Sequence, residues 1–130
     1  MPAPQRSVRA KMARPAAPIV HLELRTPNPP RALNLYTRLF GWRAETVHAG
    51  EGTYLALELG ETVQGGVSEV EAGEAGWLPY VEVEEIGVAL ERARMLGAAV
   101  VLDPREGPAG WWARIAVPEG AEIALWQPKP

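Results

Sequence analysis

The sequence predicts an α+β fold in which two tandem βαβββ modules form a curved eight-stranded sheet, a half-barrel around a cleft with the helices outside. Three observations carry this. The order strand, helix, strand, strand, strand is readable twice along the chain. The segment from Ala32-Leu33 to Phe40-Gly41-Trp42 returns as Ala89-Leu90 to Leu96-Gly97-Ala98, 57 residues further on at its start and 56 at its glycine. Finally, a four-stranded unit with one helix has only one covered face, so its other face must bury against something or enclose a ligand.

The first strand is predicted from Ile19 to Leu24, alternating and β-rich at its start. Asn28 ahead of Pro29-Pro30 is a helix-start signal, because a capping side chain and early prolines suit the first turn. Ala32, Leu33, Tyr36, Leu39 and Phe40 then recur at helical spacing, and Gly41 suits a left-handed helix end. Strands are expected at Trp42 to Val47, Thr53 to Leu59 and Thr62 to Val70, with Gly65-Gly66 marking a bulge or bend. A connector from Glu71 to Gly76 divides the halves. The second half reads as a strand from Leu78 to Val83 and a helix stripe of Ile86, Ala89, Leu90, Ala93 and Leu96 ended by Gly97. Strands from Ala98 to Leu102, Trp111 to Val117 and Ala121 to Gln127 follow, punctuated by Asp103-Pro104, Gly107-Pro108 and Pro118-Glu119-Gly120. The Gly/Pro-rich stretch Arg105 to Trp111 reads either as a flexible loop able to close over a cleft mouth or as a plain long hairpin. In domain terms, residues 1–17 are an Ala/Pro-rich basic extension and residues 18–130 one domain, with modules at about 18–70 and 77–128.

Composition bounds the function. At 130 residues and 47% hydrophobic the chain suits one domain with its own core. The absence of cysteine excludes disulfides, thiolate metal sites and cysteine nucleophiles. No apolar run is of membrane-spanning length and no signal-peptide core follows the N-terminus, so a cytoplasmic location is expected. Residues 1–17 carry Arg6, Arg9, Lys11 and Arg14 and no acid; with −3 on the whole chain, the body carries −7. An acidic body argues against nucleic acid as the main partner and suits a cationic or neutral ligand. Phosphate-binding loops and serine-nucleophile elbows leave no trace.

Strand alternation assigns the cleft face. Leu55, Leu57 and Leu59 are expected under a helix, leaving Tyr54, Ala56 and Glu58 toward the cleft. His21 and Glu23 share that face in strand one, Leu78, Tyr80 and Glu82 in strand five, and Glu122, Ala124 and Trp126 in the last. Trp111-Trp112 places one indole on each face. The candidate binding residues are therefore His21, Glu23, Tyr54, Glu58, Tyr80, Glu82, Trp112, Glu122 and Trp126. Each has a plainer reading: a hydrogen-bonded structural histidine, solvated carboxylates, packing or dimer-contact aromatics. Together they make an aromatic surface with a few convergent polar groups, the composition of a small-molecule site.

His21-Leu22-Glu23-Leu24, followed by Arg31 to Trp42 with its Leu-Phe-Gly-Trp close, resembles the opening of a vicinal-oxygen-chelate module. Tyr80 to Ile86 resembles the strand-to-helix junction of the second module, and Pro118 to Trp126 its final hairpin and strand. The resemblance, to the glyoxalase, bleomycin-resistance and extradiol-dioxygenase superfamily, covers about residues 18 to 128. It implies a divalent metal held from four strands and chelated by two neighbouring substrate oxygens. The first ligand position maps onto His21, the second on or near Glu58, the third at about Leu78 and the fourth on Ala124. Leucine and alanine cannot bind a metal, so no metal or other cofactor is expected; the alternative ligand set His21, Glu58 and Glu122 is conceivable.

Three readings follow. The first is a metal-free protein that sequesters a small cationic or aromatic molecule. The second is a metal-dependent lyase, isomerase or dioxygenase using His21 and carboxylates. The third is a non-enzymatic interaction subunit with a filled cleft. A homodimer is expected, since edge strands remain and a Pro-rich segment precedes strand one.

Overall fold

The computed structural model describes residues 16–49 and 52–130; the expectations for residues 1–15 and for Gly50-Glu51 lie outside the described residues. The first module runs β1 (Ile19–Thr26), α1 (Pro29–Phe40), β2 (Arg43–Ala49), β3 (Gly52–Glu58) and β4 (Gln64–Glu69). A short 3-10 turn (Ala72–Glu74) leads into β5 (Gly76–Glu82), α2 (Ile86–Met95), β6 (Ala99–Glu106), β7 (Gly110–Ala116) and β8 (Glu122–Pro128). The strands form one open sheet in the order β2-β3-β4-β1-β5-β8-β7-β6. Within each module the first strand lies parallel to the last, β1 on β4 and β5 on β8. The antiparallel pair β1–β5 joins the modules at the sheet's centre.

Local chemistry explains the helices. Asn28 caps α1 by accepting the Arg31 N–H at 3.2 Å, and Gly41, at φ 72, donates its own N–H to the Thr37 carbonyl. At α2 the capping residue Glu85 makes no side-chain cap bond. The Ile86 N–H instead donates to Gln127 Oε1 at 2.8 Å, so a side chain from β8 closes the helix start.

Both helices cover the same face of the sheet. Under α2, Ile86, Leu90, Ala113 and Leu125 form a buried cluster, ringed by Val83, Ala89, Val100, Trp111 and Ile115. Under α1 the packing is aromatic: Tyr36 stands 5.6 Å from Trp42 and 5.5 Å from Trp77, while Phe40 stacks against Tyr36 and lies tilted to Trp42 at 4.9 Å. Leu24 and Leu57 are buried on this side too. None of the α1 residues is fully buried, so this half of the core is the thinner one.

Two expectations are corrected. Gly65-Gly66 is neither a bulge nor a bend, because β4 pairs with β1 and with β3 in unbroken register. Close approach is what requires the glycines. A Cβ on Gly65 would lie 2.8 Å from the Leu57 carbonyl oxygen, and one on Gly66 would lie 2.5 Å from Glu23 Oε1. Asp103-Pro104 does not end a strand either. β6 continues to Glu106 with register shifts between Val100 and Leu102 and between Leu102 and Arg105. An edge strand with such irregularities tolerates proline, whose missing N–H costs no ladder bond there. The expected long loop thereby shrinks to the turn 107–109 between β6 and β7.

Candidate functional site

The face opposite the helices is organised in cross-strand rows. One row runs Glu58, Gln64, His21, Tyr80, Ala124, Arg114 across β3, β4, β1, β5, β8 and β7. The next holds Ala56, Gly66, Glu23 and Leu78. On the other side of the first, Glu82 pairs with Trp126, which pairs with Trp112. A concave cavity of about 720 Å³ opens over these rows. Seven of the nine candidate residues line it: His21, Glu23, Tyr54, Tyr80, Glu82, Trp112 and Trp126.

At its floor a carboxylate is held from two sides. His21 Nε2 and Glu23 Oε1 stand 2.6 Å apart, and the Ser68 hydroxyl donates to the other Glu23 oxygen. The alternation of β1 puts His21 and Glu23 on one face, and the parallel pairing with β4 brings Ser68 to them across 45 residues of chain. Gly66 leaves the space these side chains occupy. The His21 ring stands edge-on to Tyr80 at 5.1 Å. Burial pushes the Tyr80 phenol above its ordinary 10.0 and the Glu23 charge adds to this, while Arg114 and Arg25 oppose it. Tyr80 is thus a neutral phenol at physiological pH, available as a donor.

Glu58 and Glu122 stand outside the cavity. Glu58 is exposed at the end of β3, with β4 between it and His21; two strand spacings put roughly 10 Å between those backbones. Glu122 is turned to Arg114, whose Nε approaches its Oε1 to 3.1 Å. These atoms are buried but not in hydrogen-bond geometry, so the contact is Coulombic. The ligand set His21, Glu58 and Glu122 is therefore not assembled, because the intervening strands hold its members apart. Four polar contributors were missed. Gln64, Thr62 and Ser68 line the cavity, but reading Gly65-Gly66 as a bulge hid the regular alternation of β4 that exposes Gln64 and Ser68. Arg114 was legible, since it shares a face with Trp112 two residues before it.

Two βαβββ modules sharing one sheet, with a cleft at their junction, define the class of protein. The chain belongs to the glyoxalase/bleomycin resistance protein/dioxygenase superfamily, whose family model matches residues 18–123. Solved structures agree on the fold. A hypothetical protein from Bacillus halodurans C-125 is 13% identical, with 89% of this chain and 97% of that one covered and a TM-score of 0.65. Methylmalonyl-CoA epimerase from Mycobacterium tuberculosis is 18% identical over 93% and 96% of the two chains, with a TM-score of 0.61. The Streptomyces coelicolor methylmalonyl-CoA epimerase in complex with 2-nitronate-propionyl-CoA is 13% identical over 89% and 100%, at a TM-score of 0.61. At such identities the likeness is one of fold. Among curated proteins no sequence matches.

The residues present do not fit the divalent metal that the superfamily implies. Leu78 and Ala124, at the third and fourth ligand positions, are 2% and 1% exposed and offer no donor atom. His21 Nε2 is engaged by Glu23. Among the described residues no three His, Asp or Glu side chains are grouped to hold a metal ion. Also among these residues, no helix is long and apolar enough to cross a membrane.

Proposed function

We propose that this protein binds a small cationic or aromatic molecule in the cleft between its modules, without the superfamily's metal. The observation that carries this reading is the composition of the cavity wall. It combines four aromatic side chains, Tyr54, Tyr80, Trp112 and Trp126, with two carboxylates, Glu23 and Glu82, and includes no lysine or arginine among the described residues. Its size of about 720 Å³ is in the range of small-molecule sites. Cation–π contact and charge-assisted hydrogen bonding would each contribute on the order of 1 kcal/mol in such a wall. The −7 charge of the body beyond residue 17 favours the approach of cations.

Calorimetric and thermal-shift titrations with matched cationic, neutral and anionic aromatic compounds test the reading. Cations are expected to bind and to raise Tm in a concentration-dependent way, and anions to do neither. A panel in which no cationic or aromatic compound binds would sink it. A homodimer belongs to the same proposal. Leu35, Leu39 and Phe40 on α1 are all more than half exposed, apolar side chains suited to contact with a second copy. Light scattering of the full chain and of one lacking residues 1–17 checks it, and a mass of 14.1 kDa at all concentrations would refute it.

A further inference from the structure

We propose that the row Glu82–Trp126–Trp112 is a subsite for the ammonium group of an organic cation, tertiary or quaternary, with Glu82 as its counter-charge. The inference rests on the binding reading above and names the chemical class that reading leaves open. Of the two carboxylates in the cavity wall, Glu23 is engaged on both oxygens, by His21 and by Ser68. Glu82 has no basic partner among the described residues, although it is less than fully exposed. A carboxylate in a cavity wall with no cation beside it is open to charge-assisted hydrogen bonding by a bound cation.

The indoles beside it are set up for the same ligand. Trp126 is the register partner of both Glu82 and Trp112, and all three line the cavity. Neither indole is paired with another aromatic ring among the described residues, and both line the cavity, where a ligand would meet them. Both are seated by glycines of the β6–β7 hairpin. A Cβ on Gly110 would lie 2.8 Å from Trp126 Cη2, and one on Gly107 would lie 2.8 Å from Trp112 Cζ3. The next residue along the row is Arg105 on edge strand β6, exposed and outside the cavity wall. A diffuse, weakly hydrated ammonium suits indole faces and a single carboxylate.

The test compares benzyltrimethylammonium with 1-phenyl-2,2-dimethylpropan-1-ol, an uncharged molecule of similar shape, by calorimetry and ligand-observed NMR. Wild type is expected to bind the cation about tenfold more tightly than the alcohol. In Glu82→Gln the cation's advantage falls to about twofold to fivefold, the part the indoles supply, while the alcohol's affinity is kept, and in Trp126→Leu both affinities weaken. Circular dichroism verifies that each variant is folded, and the alcohol's retained binding verifies the cavity in Glu82→Gln. Equal binding of both probes to wild type, or a cation preference that is undiminished in Glu82→Gln, overturns the subsite and leaves the cavity reading standing. Binding of neither probe to wild type overturns both.

Discussion

Gly66→Ala is the most informative single substitution at the cleft floor. The added Cβ would stand 2.5 Å from Glu23 Oε1 and 3.1 Å from His21 Nε2, well inside ordinary contact for the first atom. Glu23 would have to move by most of an ångström, and its bonds to His21 and Ser68 would lengthen or break. Hydrogen bonds to a charged group are worth about 1.5–3 kcal/mol each. Against this, alanine in a strand recovers about 0.5–1 kcal/mol of backbone entropy relative to glycine. A net loss of about 1–2 kcal/mol is expected, or roughly 3–12 °C in Tm for a domain of this size. Urea unfolding of wild type, Gly66→Ala, Glu23→Ala and the double variant measures it. In the Glu23→Ala background the second substitution should cost less than about 0.5 kcal/mol, because the carboxylate it collides with has gone. An equal cost in both backgrounds refutes the close-approach argument.

Four further outcomes follow from the same structure. Leu90→Ala, at a residue 3% exposed in the α2 core, should cost about 2–5 kcal/mol in urea unfolding, whereas Met95→Ala, at 78% exposure, should stay within about 0.5 kcal/mol. Gln127→Ala should cost about 1 kcal/mol by orphaning the Ile86 N–H, much as Asn28→Ala should at α1; a neutral Gln127→Ala would show that water replaces the cap. Because the Tyr80 phenol is held above 10.0 in the folded state, it binds its proton more tightly there than when unfolded. Its contribution is fully present below about pH 10 and is lost as pH rises beyond, so Tyr80→Phe should flatten the alkaline fall in stability measured from pH 9 to 11. Addition of zinc, nickel or magnesium should leave Tm unchanged, and elemental analysis of protein purified without chelator should find no stoichiometric metal; a bound equivalent would overturn the fit argument.

The legible part of the site was its list of faces. Seven candidate residues meet in one cavity because alternation within a strand is a local property, and His21, Tyr80, Trp112 and Trp126 each follow from it. What was misread lies between strands. Glu58 faces the right way, but β4 separates it from His21. Glu122 also faces the cleft side, yet Arg114 from the neighbouring strand claims it. Ser68 went unread because the pair of glycines before it resembles a bulge, and only packing against Glu23 gives those glycines their reason.

By itself the sequence determined the two-module order, the start and stop of α1 at Asn28 and Gly41, and the face that residues of β1, β3, β5 and β8 take. These depend on propensity, capping and periods of 3.6 and 2, all of which act within a few residues. Only the tertiary structure decided who stands beside whom. It set β1 between β4 and β5, brought Ser68 and His21 onto one carboxylate, supplied Gln127 as the cap of α2, and put Trp126 beside Glu82 with Trp112 on the strand beyond. The physical reason is that strand neighbours and register are chosen by the packing of whole faces against the helices. A period-2 pattern determines which way a side chain points but not what it meets there.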